Sequence, residues 1–278
     1  MNKLCNFNIK LFYESICYII IVVEGVDSMK ALITGASSGI GADMARVLYD
    51  KGYELILVAR DKKNLEAIKK ELGDNVKIIS MDISSTFNCM KLYNRVKKEK
   101  IDILINNAGF GVFGDFSETN LDRELDMIDL NIKAVHTLTK MFLQDFKERD
   151  SGYILNVAST AAFLSGPLMA TYYATKGYVL KLTEAIYEEL RREGSNVYIG
   201  ALCPGPVNTN FNNVAGVQFS VKAMESKVVA EYAINKMMKR KLIIIPGFLI
   251  KLSVFMTRIL PRKLLLKINY KIQKEKEN

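Results

Sequence analysis

The stretch Met29–Gly41, MKALITGASSGIG, decides the fold. KALITGA is a short apolar run that ends on a glycine, and GADMARVLYDKG, which begins at Gly41, carries a helical pattern that stops at Gly52. A strand that passes through a glycine-rich turn into a helix is suited to holding a phosphate. Glycine lets the backbone turn sharply and approach a ligand where a Cβ would intrude. The helix start then offers unpaired N–H groups and the positive end of its dipole. With glycines at 35, 39 and 41, and Ser37, Ser38 and Ile40 between them, the turn reads as a diphosphate cradle.

Outward from this stretch the pattern repeats. ELILVAR, VKIISMDI, IDILINNAG and GYILNVAST are short apolar runs, KKNLEAIKKELG is an amphipathic helix, and LIIIPG reads as a last strand. Buried strands alternating with helices predict an α/β fold, a doubly wound parallel sheet with helices on both faces. The binding crevice is then expected at the carboxyl ends of the strands. The second strand runs out at Ala59, followed by Arg60 and Asp61. An arginine there can pair with the extra phosphate of NADP, and a carboxylate can serve the ribose of NAD. The uncharged Ala59 favours NADP(H) over NAD(H), with Asp61 kept as the NAD alternative. Asp82 and Ile83 are placed to meet an adenine, and the turn of Asn106, Asn107, Ala108 and Gly109 to line the cofactor.

At 278 residues, 49% hydrophobic and 25% charged, the chain has an ordinary globular composition and room for one large core. Four scattered cysteines give neither a metal-ligand spacing nor a disulfide framework, so a reducing, cytoplasmic setting and no metal are expected. The only histidine, His136, lies in a helical pattern and reads as an ordinary helix residue. The net charge of +9 sits in the tail: residues 236–278 hold twelve Lys/Arg and two Glu, which leaves the body near neutral.

Residues 1–28 do not fit this plan. SICYIIIVV is apolar for only nine residues, too few to span a bilayer, and no small-residue cleavage site follows. Glu24-Gly25-Val26 can be encoded with a ribosome-binding sequence ahead of Met29, so one reading starts the native chain at Met29. The other makes the segment a weak membrane anchor.

Two adjacent tyrosines, Tyr172 and Tyr173, precede Lys176. On a helix they stand at i,i+4 and i,i+3 from it, and both spacings bring side chains together. Spacing alone does not choose between them. A phenol near an ammonium gains acidity, as an acid–base group requires.

TGASSGIG, NNAG, Asn131 in LNIKA, Ser159, Tyr172 with Lys176, and PGPVNT (204–209) occur in the order found in short-chain dehydrogenases/reductases, which residues 29–210 resemble. The resemblance implies a single Rossmann-type domain over 29–245. It implies NAD(P)-dependent interconversion of a carbonyl and a secondary alcohol, with the cofactor supplying the hydride. By its pattern Tyr172 is the acid–base residue, Ser159 binds the carbonyl, Asn131 anchors a water that passes protons to Lys176, and Tyr173 packs. Tyr172, Lys176, Pro204, Gly205, Val207 and Thr209 join the cofactor-binding set. Rival readings are a non-catalytic dinucleotide-binding protein, which would not need all four catalytic residues, and a family member performing epimerisation or dehydration. A homo-oligomer is also implied.

Residues 208–228 form the expected substrate loop, where Phe211, Val217 and Phe219 point to an apolar pocket. Asn156 reads as strand-interior and Ser165 as a loop residue near the substrate. The tail, 246–278, has an amphipathic helical pattern broken at Pro261, with cations opposite the apolar side. It suits a helix packed beside the active site, a peripheral contact with an anionic membrane, or docking of an acidic carrier. The resemblance extends to reductases of acyl and steroid substrates, which makes an apolar ketone the expected substrate. No nucleic-acid-binding module accompanies the charge.

Overall fold

The central strands of the main sheet are apolar through their middles because both of their faces are covered, whereas the edge strand Val76–Ser80 exposes Lys77 and Ser80. In the computed structural model, which describes residues 28–211, 215 and 223–275, Leu32, Ile56 and Leu104 point into one core, while Ile33, Leu55 and Ile103 point into the other. Residues 1–27 and the expected pocket residues Val217 and Phe219 lie outside the described part. The elements run β1 (Lys30–Thr34), α1 (Gly39–Tyr49), β2 (Glu54–Ala59), α2 (Lys62–Leu72), β3 (Val76–Ser80), α3 (Thr86–Val96) and β4 (Ile103–Asn106). After these come α4 (Leu121–Ile128), α5 (Val135–Glu148), β5 (Tyr153–Val157), α6 (Ala170–Glu193) and β6 (Tyr198–Leu202).

Two-residue strands β7 (Val207–Asn208) and β8 (Met224–Glu225) pair with each other, and α7 (Ser226–Met238) leads to the last strand, β9 (Ile243–Ile244). The main sheet has the order β3-β2-β1-β4-β5-β6-β9, and its described pairs are all parallel. Helices α1, α2 and α7 cover one face, and α3, α5 and α6 the other. This is the doubly wound α/β fold expected from the alternating pattern. The chain leaves β1 for β2 and β3, then crosses back to β4, so the topology reverses between β1 and β4 and a crevice opens there.

The tail forms α8 (Phe248–Met256) and α9 (Arg262–Lys274), with the break at Pro261 as expected. Both helices lie over the deep end of the crevice, so the tail is part of one continuous structure with the sheet domain. Asn269 donates to the carbonyl of Ser165 at 2.7 Å, and Gln273 donates to the Tyr173 hydroxyl. Among the described residues, no helix is long and apolar enough to cross a membrane.

Candidate active site

A cavity of about 1270 Å3 runs along the crevice, from Arg60 and Asp82 past Gly35 and Gly109 to Ser159 and Tyr172 under α8 and α9. The residues assigned to the cofactor and catalytic sets line it except Gly41 and Asn131. Asn106, expected to line the cofactor with Asn107, Ala108 and Gly109, is instead buried at the end of β4, where its amide donates to Thr139 and Asn156.

The cradle is built by close approach. Gly35 has φ +63°, and a Cβ on it would lie 2.8 Å from the Ala108 Cα; Gly39 has φ +53°, and a Cβ there would lie 2.9 Å from Thr209 Cγ2. A Cβ on Gly41 would strike the Asn107 amide and the Gly35 carbonyl. Ser38, at the N-cap of α1, makes no side-chain capping bond, so the first-turn amides of α1 keep their donors. These features fit a diphosphate. Thr34, which sequence reasoning passed over, locks the facing turn: its hydroxyl accepts from the backbone N–H groups of Asn107 (3.0 Å) and Ala108 (3.1 Å). The Asn107 side-chain amide donates back to the carbonyls of Thr34 and Gly35. Gly35→Ala is expected to lower unfolding stability by about 1–3 kcal/mol, from left-handed strain and the clash with Ala108. Denaturant unfolding checks this, and an unchanged midpoint would show that the turn tolerates a Cβ.

At the outer end, the Arg60 guanidinium stands 3.8 Å from the Asp82 carboxylate. Asp61 is engaged elsewhere: its two oxygens accept from the backbone and side-chain N–H groups of Asn64, capping α2. That commitment weighs against Asp61 as a ribose ligand.

The deep end gathers four residues from three elements. Asn131 lies in a widened π-type turn, Asp129–Ala134, between α4 and α5, an irregularity found frequently at functional sites. It is fully buried; its amide donates to the Phe110 carbonyl (2.9 Å) and the Thr175 hydroxyl (3.1 Å), and its oxygen accepts from Phe110 N–H (3.1 Å). Ser159 follows β5 and caps a short 3-10 turn. Tyr172 and Lys176 share the first turns of α6, 9% and 6% exposed. A Cβ on Gly109 would meet the Asn131 oxygen at 2.8 Å and Lys176 Nζ at 3.4 Å, so the bare glycine brings both groups to the cofactor side of the cavity.

The structure distinguishes the two tyrosines. The Tyr172 hydroxyl bonds to Ser159, and its ring packs against Phe211 with centroids 5.4 Å apart. The Tyr173 hydroxyl is held by Asn269 and Gln273 of α9. Tyr173 therefore ties the tail to the site, a role visible in sequence only as two amides four residues apart on the tail's apolar stripe. Ser165 does not line the cavity, and Asn156 is buried in β5, donating to Thr183 Oγ1 at 3.0 Å. His136 is exposed on α5 and bonds Tyr178 at 2.8 Å, as suits a surface helix residue.

Burial pushes the Tyr172 phenol above its ordinary range, with the Ser159 hydrogen bond pulling the other way. The acidification expected from the neighbouring ammonium does not dominate. Lys176 Nζ lies 5.9 Å from the Tyr172 ring centroid and donates to the Val157 carbonyl at 2.9 Å. Burial lowers Lys176 itself to about 8. Of the two groups only the amine moves toward neutral pH; the phenol is held protonated, as a proton donor beside the Ser159 hydroxyl at the apolar cavity.

The sequence matches the short chain dehydrogenase family over residues 29–218. An uncharacterized oxidoreductase of Staphylococcus epidermidis is 31% identical over 209 residues, 74% of this chain and 89% of that protein. A short-chain dehydrogenase from Sphingobium yanoikuyae in complex with NADPH superposes with a TM-score of 0.74 at 32% identity, covering 79% of this chain and 88% of its own. A short chain dehydrogenase/reductase from Burkholderia phymatum in complex with NAD gives 0.75 at 26%, covering 82% and 92%. This chain belongs to the short-chain dehydrogenase family and is an oxidoreductase acting on CH–OH donors.

Proposed function

We propose that this protein reduces an apolar ketone to a secondary alcohol with NADPH. The observation that carries the reading is the Tyr172 phenol, buried beside Ser159 and Lys176 at the inner end of a cavity continuous with the dinucleotide cradle. The glycines at 35, 39 and 41 and the first-turn amides of α1 hold the diphosphate. Asp82 and Ile83 meet the adenine. Asn107, Ala108, Gly109, Pro204, Gly205, Val207 and Thr209 line the remainder of the cofactor. When bound in its reduced form, the nicotinamide would supply the hydride.

The chain's own groups handle the proton. Ser159 donates a hydrogen bond to the substrate carbonyl oxygen, and Tyr172 gives that oxygen its proton. Lys176, with its lowered proton affinity, restores the proton to the phenol. Asn131 supports the relay through Thr175, whose hydroxyl donates to the Tyr172 carbonyl at 2.7 Å. The substrate end is walled by Leu164, Met169, Phe211, Leu265, Ile268 and Ile272, which favours a bulky apolar ketone over a small polar one. A homo-oligomer completes the reading, supported by Leu121 and Leu125 exposed on α4.

The solved relatives bind NADPH in one case and NAD in the other, so cofactor choice is argued from Arg60. Its side chain is two-thirds exposed at the cavity rim, with only a long 3.8 Å ion pair to the half-exposed Asp82 to give up for a phosphate, while Asp61 is bound to Asn64. Arg60→Ala is expected to weaken NADPH binding about 10- to 100-fold, the value of a charge-assisted hydrogen bond, and to leave NADH binding unchanged. Parallel titrations of both cofactors test it. Tighter binding of NADH by the parent protein would overturn the NADPH assignment.

A further inference from the structure

The tail helix α8 is apolar on both sides. Ile250, Ser253, Val254 and Thr257 line the cavity. At 100° per residue, Phe248, Leu249, Leu252 and Phe255 fall on the opposite side. Phe248 is 79% exposed and Leu249 77%, and Leu252, Phe255 and Ile259 are exposed as well. Apart from Lys251, which reaches the Tyr232 hydroxyl, and Ser253 on the cavity side, the helix is apolar, yet it has a core on one side only. Helix α9 beside it places Leu265, Asn269 and Gln273 toward the cavity and Lys263, Lys267, Lys271 and Lys274 on the far side. From Pro246 to Lys274 there are seven Lys/Arg and no Asp or Glu. Among the described residues, none of those seven cations forms an ion pair.

We infer that the outer face of α8 and α9 is a docking surface for an anionic lipid bilayer. Exposed apolar side chains bordered by lysines that form no ion pair among the described residues match the boundary between acyl chains and negative headgroups. A second copy of the chain would place one acid-free basic face against another, and that repulsion disfavours self-association here. The nine residues of α8 span about 14 Å, so the helix lies in the interface and does not cross it. The inner sides of the same helices roof the substrate cavity, so docking brings the roof against the bilayer. On the reading of an apolar ketone substrate, the lipid phase then becomes the source of substrate. Docking itself needs no catalysis and is tested separately.

The test is sedimentation of the full chain with vesicles of phosphatidylcholine alone and of phosphatidylcholine mixed with phosphatidylserine. Each lysine near the surface contributes about a fivefold gain on an anionic bilayer, so mixed vesicles are expected to bind at least about tenfold more tightly. Added salt should weaken that preference. The triple variant Phe248→Ser, Leu249→Ser, Phe255→Ser should lose binding to both, and Lys263→Glu, Lys267→Glu, Lys271→Glu should lose the anionic preference, with thermal unfolding confirming that each is folded. No binding, equal binding to both vesicles, or a folded serine variant that binds as the parent does would overturn the inference. Dimerisation that the serine variant abolishes, without vesicle binding, would assign the face to a second copy. Polyglutamate binding as tight as vesicle binding, and untouched by the serine changes, would assign it to an acidic protein.

Discussion

Tyr172→Phe is expected to lower kcat for ketone reduction about 10²- to 10⁴-fold, the range for loss of a positioned general acid, a loss larger than any change in NADPH affinity. The substitution removes only the hydroxyl that bonds Ser159. The ring keeps its packing against Phe211 and its edge-on contact with Tyr173, whose centroid is 6.1 Å away. The informative comparison is Tyr173→Phe, which removes a hydroxyl of the same kind one residue along. That hydroxyl holds Asn269 and Gln273, so its loss should leave most of kcat and cost about 1 kcal/mol of stability where the tail joins the body. Steady-state kinetics of the two variants on one ketone decides. A dead Tyr173→Phe beside an active Tyr172→Phe would exchange the two roles.

Lys176→Met should abolish turnover and at the same time make the protein harder to unfold. The ammonium is buried, and it makes one hydrogen bond, to the Val157 carbonyl. Moving its proton affinity from the ordinary 10.5 down to about 8 corresponds to about 3 kcal/mol of cost to the folded state at neutral pH. Methionine fills similar space without a charge but leaves the Val157 carbonyl unpaired, so the net gain expected is about 1–2 kcal/mol. The sign with pH follows from linkage. Below about 8 the lysine is charged in both states and the whole cost is present. As pH rises from about 8 toward 10.5, the folded chain sheds the proton before the unfolded one and the cost disappears. The advantage of the variant over the parent should therefore shrink across that window. Urea unfolding of both proteins at neutral and at alkaline pH measures it, in a Cys203→Ala background because the charges of that thiol and of Lys176 act on each other. A variant less stable than the parent at neutral pH would show that the Val157 bond outweighs the cost of burying the charge.

The sheet was legible in the sequence because a parallel strand covered on both faces must be apolar along its length. Leu32 and Ile33 are buried in opposite cores for that reason. The cradle was legible as well. Gly35 and Gly39 adopt positive φ and Gly41 sits where no Cβ fits, requirements that glycine alone meets. Asn131, Ser159, Tyr172 and Lys176 could be named only through the resemblance to short-chain dehydrogenases/reductases, which also chose Tyr172 over Tyr173 where helical spacing did not.

What the sequence by itself determined is local and periodic: strand, turn, helix, and the residue types that one helical turn brings together. Contacts between distant segments were decided only by the tertiary structure. Thr34 pins the turn at Asn107 and Ala108 across 73 and 74 residues, and Gln273 reaches Tyr173 across 100. The direction of the Tyr172 shift belongs to the same class. Desolvation depends on everything packed around the phenol, and here it outweighs the nearby amine that the spacing of Tyr172 and Lys176 made conspicuous.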